Sequence, residues 1–123
     1  MKGKMSRRQL ASLGERAAAD FLRARQYTIL ESNFRCPIGE IDLIARHGEY
    51  LVFIEVRTRQ SQAYGTPEES VTPAKTQKLV DLAYTYLQSH PDLPSLWRID
   101  VVAVEVGHDG AISRLEVIEN AVS

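Results

Sequence analysis

A Val-rich and nearly continuous apolar run at residues 97–106 limits the folds open to this chain of 123 residues. Such a run predicts a strand that is buried on both faces of a sheet. The segment before it, residues 73–89, has the spacing of an amphipathic helix, with Thr72 as the N-cap and Pro73 in the first turn. A buried strand that follows a crossover helix favours a central sheet with helices packed against it.

The rest of the sequence predicts a first helix and four further strands. Residues 7–26 have helical spacing. The expected apolar face of this helix is Leu10, Leu13, Ala17, Phe21 and Ala24, widened on one side by Ala11, Gly14, Ala18 and Leu22. Extended patterns cover residues 27–36, 38–46, 50–59 and 112–118. The prediction is a single α/β domain over residues 1–123, with the order α-β-β-β-α-β-β and a mixed central sheet flanked by helices.

Two acidic residues, Asp42 and Glu55, lie among apolar neighbours on adjacent predicted strands. Because side chains alternate between the faces of a strand, any hairpin loop of even length places both acids on the same face. A four-residue loop at residues 47–50 would put them directly opposite one another. A two-residue turn at His47 and Gly48 would instead pair Glu40 with Glu55 and leave Asp42 one step away.

Neighbouring carboxylates of this kind repel each other, and burial raises their pKa values unless a cation lies between them. A divalent cation, Mg²⁺ or Mn²⁺, is the natural counter-ion, since it binds one or two carboxylates together with phosphate and water. The alternative, which the pattern alone leaves equally open, is a solvent-facing strand edge whose acids pair with Arg46 or Arg57. Asp100, early in the Val-rich run, is expected to form a strand-end salt bridge.

Charged residues are divided unevenly along the chain, although the net charge is only −1. Residues 1–35 contain eight Lys and Arg against three acids, whereas residues 36–123 contain seven against thirteen. A basic arm at residues 1–6, expected to be flexible, and a first helix that begins with Arg7 and Arg8 would attract phosphate groups, while bound cations neutralise the acidic remainder. A solvated surface is the ordinary alternative for such a pattern.

The composition argues against several other classes of protein and site. The single cysteine, Cys36, rules out an internal disulfide and favours a reducing compartment, hence the cytoplasm. No apolar run approaches the roughly 20 residues of a membrane-spanning helix, and no apolar segment follows the basic N-terminus as in a signal peptide. The sequence contains no Gly-rich phosphate loop, Cys/His metal spacing or nucleophile elbow. His47, His90 and His108 fall in predicted turns or loops and are expected to be solvated.

Six blocks of the sequence resemble, in the same order, the bacterial YraN family of predicted endonucleases. They are GERAA at residues 14–18, NFRC at 33–36, GEIDLI at 39–44, FIEVRTR at 53–59, SVTPAK at 70–75 and RIDVV at 98–102. That family looks like a branch of the PD-(D/E)xK nuclease superfamily, close to archaeal Holliday-junction resolvases. The resemblance therefore implies a restriction-endonuclease-like core with the order α-β-β-β-α-β.

The resemblance also implies roles for particular residues. Asp42 and Glu55 would bind the metal, with Glu15 as a third carboxylate and the Val56 carbonyl as a further ligand. Arg57 stands where the superfamily has the lysine of its E-x-K element. Arginine stays charged and cannot act as a base, but it can hold a phosphate group.

Contacts with the substrate are predicted from charge and from position along the chain. Lys75 is the candidate to replace the missing lysine, and Lys78 is a weaker one. The expected nucleic-acid contacts are Arg7, Arg8, Arg59 and Lys75, together with Tyr64 in the loop at residues 60–71.

The implied function is that of a metal-dependent endonuclease that hydrolyses phosphodiester bonds in DNA, with branched or single-stranded DNA as candidate substrates. Two alternatives stay open. One is a catalytically weak nucleic-acid-binding module in a DNA repair or recombination complex, because Arg57 replaces lysine. The other is an interaction domain whose acids bind no metal. Resolvase-like proteins often dimerise, so a homodimer is implied by analogy only.

Overall fold

Residues 4–60, 66–94 and 96–121 are described by a computed structural model of the chain. The helices are α1 (Arg7–Ala24) and α2 (Pro73–Ser89), with a short 3-10 helix (Pro67–Ser70) before α2. The strands are β1 (Thr28–Cys36), β2 (Gly39–His47), β3 (Tyr50–Gln60), β4 (Trp97–Val106) and β5 (Ile112–Ile118). The α/β class and the order α-β-β-β-α-β-β predicted from the sequence are confirmed.

Among the described residues, five strands form one mixed sheet in the order β1-β2-β3-β4-β5. Neighbouring strands are antiparallel except β3 and β4, which are parallel and are connected through α2. One face of the sheet packs on α1 through a cluster that includes Leu22 and Ile54. The other face packs on α2 through Leu82, Phe53 and Ile99. This arrangement is compatible with a restriction-endonuclease-like core. Across the described ranges, neither α1 nor α2 has the length and apolar character to cross a membrane.

Small residues form the part of α1 that lies against the sheet. Gly14, Ala18 and Leu22 are buried along this stripe, whereas Phe21 is half-buried and Ala24 is exposed. The predicted apolar face is therefore correct for most of its residues, since Leu10 and Leu13 also pack against the core, and wrong at Ala11 and Ala24, which are exposed. The physical reason is that Gly14 lets α1 approach β3 closely, so the buried stripe runs through Gly14, Ala18 and Leu22.

Replacing Gly14 by Ala is expected to destabilise the fold. A Cβ atom at this position would overlap Thr58 Oγ1 on β3 and would lie 2.9 Å from Thr58 Cβ. We expect the free energy of unfolding, measured by urea denaturation, to fall by about 1–3 kcal/mol, because overpacking outweighs a gain in helix propensity of about 1 kcal/mol. The loss should shrink in a Thr58→Ala background. A Gly14→Ala protein that is more stable than wild type would show that α1 does not approach β3 this closely.

The turn between β2 and β3 consists of Gly48 and Glu49. His47 pairs with Tyr50, and Gly48 has a φ of 61°, as expected for a turn that needs glycine at its first central position. The predicted turn at His47 and Gly48 is therefore wrong by one residue. The register is that of the four-residue alternative, because Leu43 lies opposite Ile54 and the next facing positions are Asp42 and Glu55.

A buried ion pair lies at the end of the sheet near this turn. Asp100 is fully buried, and its Oδ1 atom accepts hydrogen bonds from Arg98 Nε at 3.0 Å and from the Asn120 N–H at 2.9 Å. Its Oδ2 atom accepts a hydrogen bond from the Tyr27 hydroxyl at 3.1 Å. Burial, followed by the Asp100 charge, raises the pKa of Tyr27 to about 12. The salt bridge expected at Asp100 is confirmed.

Two of the three histidines expected to be solvated are packed against tyrosine rings. His47 stacks on Tyr27 and His90 stacks on Tyr86, each with 3.9 Å between the ring centroids. His108 is exposed in the turn before β5, as expected. The prediction is wrong for His47, which ends β2 beside Tyr27, and for His90, which caps α2 and lies against Tyr86 one turn earlier in the same helix.

Candidate active site

Strands β2 and β3 separate at one end of the sheet and leave a cavity between them. Their paired ladder ends with Leu43 opposite Ile54. Beyond this point β2 stays paired with β1, and β3 stays paired with β4. The cavity has a volume of about 380 Å³, and its charged lining residues are Glu15, Glu40, Asp42, Glu55, Arg57, Lys75 and Lys78. The opening of the sheet thus brings four acids and three cations to one place.

Asp42 lies next to the end of the β2–β3 ladder. Its Oδ2 atom accepts a hydrogen bond from the Val56 N–H at 2.8 Å, so the side chain satisfies a β3 donor at the point where the strands separate. Burial is the main cause that raises the pKa of Asp42 from its ordinary value of 3.8 to about 7, and the Glu55 carboxylate adds to this effect. The Val56 hydrogen bond acts in the opposite direction. Asp42 therefore tends to keep its proton near neutral pH unless a cation compensates its charge.

Glu55, the second predicted acid, is held between two cations. Only 6% of the residue is exposed. Its Oε2 atom accepts a hydrogen bond from Arg57 NH1 at 3.1 Å and lies 3.9 Å from Lys75 Nζ. Among the described residues, neither Glu55 Oε1 nor Asp42 Oδ1 accepts a hydrogen bond. One oxygen of each carboxylate is therefore left for a ligand in the cavity.

Glu15 reaches the same cavity from α1. The close approach of α1 to β3 at Gly14 brings the next residue, Glu15, to the cavity wall. Burial, followed by the charge of Glu40, raises the pKa of Glu15, and Glu55 contributes in the same direction. The Asn33 side chain partly offsets this increase. The acid that the sequence suggested as a third carboxylate therefore belongs to the same electrostatic cluster as Asp42 and Glu55.

The cations of the cavity come from β3 and α2. Lys75 lies in the first turn of α2, where its backbone N–H donates to the Thr72 N-cap hydroxyl at 3.3 Å. Arg57 NH1 points to Glu55, and its Nε donates to Ser70 Oγ at 2.8 Å. Lys78 also lines the cavity, although the sequence ranked it below Lys75. Ser70 was not singled out as a site residue, and its position in the SVTPAK block before Lys75 is the signal that could have identified it.

The relatives of this chain are identified by a family model that covers most of its length. The model of the family described as "Uncharacterised protein family UPF0102" matches residues 14–104, a range that contains Glu15, Asp42, Glu55 and Lys75. This chain belongs to family UPF0102. UPF0102 is the YraN family, so the resemblance recognised in the sequence is confirmed.

Curated members of UPF0102 match this chain over nearly its full length. A UPF0102 protein of Moorella thermoacetica is 49% identical over 117 residues, covering 95% of this chain and 98% of the relative. A UPF0102 protein of Symbiobacterium thermophilum is 50% identical with the same coverage of both chains. A UPF0102 protein of Geotalea daltonii is 41% identical over 120 residues, covering 98% of this chain and 94% of the relative. These matches establish the family, and the activity has to be argued from the site.

Three of the expected nucleic-acid contacts lie away from the cavity of this UPF0102 protein. Arg7 and Arg8 are exposed in the first turn of α1, and Arg59 is half-buried further along β3. None of the three is a lining residue. Tyr64 lies outside the described residues. The N-terminal residues nearest to the helix contact the fold, because the Met5 N–H donates to Gln60 Oε1 at 2.7 Å and Ser6 caps α1.

The donor set of the UPF0102 cavity fits a hard divalent cation. Within residues 4–60, 66–94 and 96–121, no three His, Cys, Asp or Glu side chains already form a metal-binding group. Mg²⁺ does not require three, because it is usually held by one or two carboxylates together with water and phosphate. Asp42 and Glu55 each offer an oxygen atom, and a bound cation would offset the burial and the Glu55 charge that raise the pKa of Asp42.

The raised pKa of Asp42 predicts that stability falls as the pH rises. A carboxyl group whose pKa is higher in the folded state stabilises the protein below about pH 3.8, and this contribution is lost as the pH rises through about 7. A complete shift would correspond to about 4 kcal/mol. Screening in an open cavity lowers the expectation to about 2 kcal/mol. We therefore expect wild type to lose about 2 kcal/mol of stability relative to Asp42→Asn when the pH is raised from 4 to 8 in metal-free buffer.

Urea denaturation at several pH values measures this difference. Asn is a matched replacement because its side-chain oxygen can still accept the Val56 hydrogen bond. A difference that is flat, or that rises with pH, would contradict the prediction.

Proposed function

We propose that this protein is a metal-dependent endonuclease that hydrolyses phosphodiester bonds in DNA. The proposal is carried by the convergence of Asp42 and Glu55 on one cavity, with Lys75 beside them. Hydrolysis of a phosphodiester needs oxygen ligands that hold a divalent cation next to the phosphate, and positive groups that attract the phosphate itself. The compatible fold and the resemblance of the GEIDLI and FIEVRTR blocks to nucleases support the same reaction.

The residues of the chain have separate parts in this proposal. Mg²⁺ or Mn²⁺ bound by Asp42 and Glu55 would activate a water molecule and offset negative charge at the phosphorus. Lys75, whose side chain is 42% exposed, attracts the phosphate group to the cavity. Glu15 has a raised pKa and lines the same cavity, so it can accept a proton or orient a water molecule there.

Positive charge near the N-terminus supports a polyanionic substrate. Arg7, Arg8 and Arg16 are exposed along α1, the helix that also carries Glu15 to the cavity. Such charges raise the affinity for a phosphate backbone and make binding sensitive to salt. We infer from this substrate that the protein acts in the cytoplasm, in keeping with its single cysteine. We also infer a homodimer, by analogy with resolvases, and sedimentation in solution tests it.

Incubation of the purified protein with labelled DNA tests the proposed activity. Branched, duplex and single-stranded DNA should be compared in Mg²⁺, in Mn²⁺, in Ca²⁺ and with a chelator. Cleavage of at least one substrate in Mg²⁺ or Mn²⁺, abolished by the chelator, is the expected result. Absence of cleavage from every substrate, together with no detectable Mn²⁺ binding by calorimetry, would overturn the proposal.

A second candidate is a catalytically weak nucleic-acid-binding module of a repair or recombination complex. The observation that favours it is that Arg57, in place of the E-x-K lysine, is bound to Glu55 and Ser70. The same experiment separates the two functions. Salt-sensitive DNA binding without cleavage in any divalent metal would favour the binding module.

A further inference from the structure

Ser70, the last residue of the 3-10 helix, uses its hydroxyl group both as a hydrogen-bond donor and as an acceptor. Its hydroxyl donates to the Pro67 carbonyl oxygen at 2.6 Å. A serine hydroxyl has only one hydrogen to donate, so its oxygen is left to act as an acceptor. That oxygen accepts a hydrogen bond from Arg57 Nε at 2.8 Å. The 3-10 helix thus presents a fixed acceptor to the arginine of β3.

Arg57 is held at two points of its planar guanidinium group. Nε donates to Ser70, and NH1 donates to Glu55 Oε2 at 3.1 Å. Two contacts on one rigid plane fix the orientation of the group, which a lysine ammonium could not reproduce. The side chain is 30% exposed, so it is largely covered by the fold.

Glu55 receives this contact on only one of its carboxylate oxygens. Arg57 holds Oε2, which restricts how the carboxylate can turn and leaves Oε1 for the cavity. A metal ligand must be oriented as well as present, and partners that orient a ligand typically change metal affinity by about 10- to 100-fold. The contacts of Arg57 are therefore those of a group that orients Glu55.

We propose that Ser70 and Arg57 are positioning residues that orient the Glu55 carboxylate, Ser70 acting through Arg57. This proposal rests on the endonuclease function proposed above. It gives Arg57 a role that a lysine at this position could not fill. Lys75 and Lys78 are then the cations that contact the phosphate group. The competing assignment is that Arg57 itself holds the phosphate group.

Two substitutions that preserve charge separate these assignments. Ser70→Ala removes the acceptor for Arg57, and Arg57→Lys keeps the positive charge but cannot span Ser70 and Glu55. Ser70→Thr restores the hydroxyl, and Ser89→Ala is the matched control, because Ser89 also donates to a backbone carbonyl but lies at the far end of α2. The dissociation constant for Mn²⁺ is measured by calorimetry, and kcat and KM are measured for DNA cleavage.

If Ser70 and Arg57 orient Glu55, Ser70→Ala and Arg57→Lys should each weaken Mn²⁺ binding by about 10-fold and lower kcat by a similar factor. KM for DNA should stay within about 2-fold, and Ser70→Thr and Ser89→Ala should resemble wild type. A rise in KM with unchanged Mn²⁺ affinity would overturn the proposal in favour of a phosphate contact. Higher turnover in Arg57→Lys would overturn it as well, because lysine would then be the better residue at this position.

A metal-free measurement keeps this proposal separate from the proposed activity. If wild type neither binds Mn²⁺ nor cleaves DNA, the endonuclease function fails, and the orientation of Glu55 is read from NMR signals instead. The Arg57 Nε–H signal should be protected from solvent exchange in wild type and Ser70→Thr and lose that protection in Ser70→Ala. The Glu55 Cδ signal should shift in Ser70→Ala and Arg57→Lys but not in Ser89→Ala. A Glu55 signal that is unchanged in both variants would overturn the positioning role.

Discussion

Asp42→Asn should lower the rate of metal-dependent DNA cleavage by about 10³-fold, which corresponds to about 4 kcal/mol of transition-state stabilisation. The amide keeps the size of the side chain and can still accept the Val56 hydrogen bond, but it removes the negative charge that attracts the cation. Glu55→Gln should have a similar effect, because Glu55 is a buried carboxylate that lines the same cavity. Single-turnover cleavage in Mg²⁺ and in Mn²⁺ measures both losses.

Glu40→Gln provides the matched control for these two substitutions. Glu40 lines the same cavity, but its side chain is 47% exposed and pairs with Arg35 at 3.1 Å. We expect its cleavage rate to stay within about 3-fold of wild type, because an exposed carboxylate contributes little to binding a cation held by its neighbours. Equal losses in the Asp42, Glu55 and Glu40 variants would indicate a general effect of negative charge and would contradict specific roles for Asp42 and Glu55.

Arg98→Met should destabilise the protein by about 3–5 kcal/mol, because it leaves the carboxylate of Asp100 buried without its cation. Asp100 would keep its bonds from Tyr27 and from the Asn120 N–H, but these carry no full positive charge. Replacement of both partners, in Arg98→Met with Asp100→Asn, should be less damaging than the sum of the two single changes. Urea denaturation at pH 7 measures each free energy of unfolding.

Arg114→Met is the corresponding control on an exposed strand. Arg114 forms short ion pairs with Glu68, Glu105 and Glu116, but its side chain is 28% exposed, compared with 10% for Arg98. We expect a loss of about 1 kcal/mol or less, because solvent screens surface ion pairs. If the Arg98 and Arg114 variants lost equal stability, burial of the Arg98–Asp100 pair would not be what makes it important.

Periodicity predicted the elements of this fold well because hydrophobic spacing and capping residues act locally. The Thr72 N-cap and Pro73 gave the start of α2, and the Val-rich run gave the bounds of β4. The buried face of α1 was predicted less well. A helical wheel weighs large apolar side chains, whereas the close contact of Gly14 with Thr58 depends on which element the helix meets.

The candidate site was predicted in part. Strand alternation predicted Asp42 and Glu55 on one face, and the structure shows that both line one cavity just beyond the end of the β2–β3 ladder. The sequence left two registers open, and the position of the turn at Gly48 and Glu49 selected the one in which the two acids follow the last facing pair of the ladder. The SVTPAK block could have marked Ser70, but its contact with Arg57 could not be predicted, because Arg57 is 13 residues away and meets Ser70 only in the folded chain.

The amino-acid sequence alone was enough to predict the order of helices and strands, the two acids on adjacent strands and the blocks that resemble the family. Each of these depends on residues that lie close together in the chain. The separation of β2 from β3, the pKa of Asp42 near 7 and the contacts of Arg57 with Ser70 and Glu55 required the folded chain. These features arise from burial and from distances between elements, and neither quantity is specified until the helices have packed on the sheet.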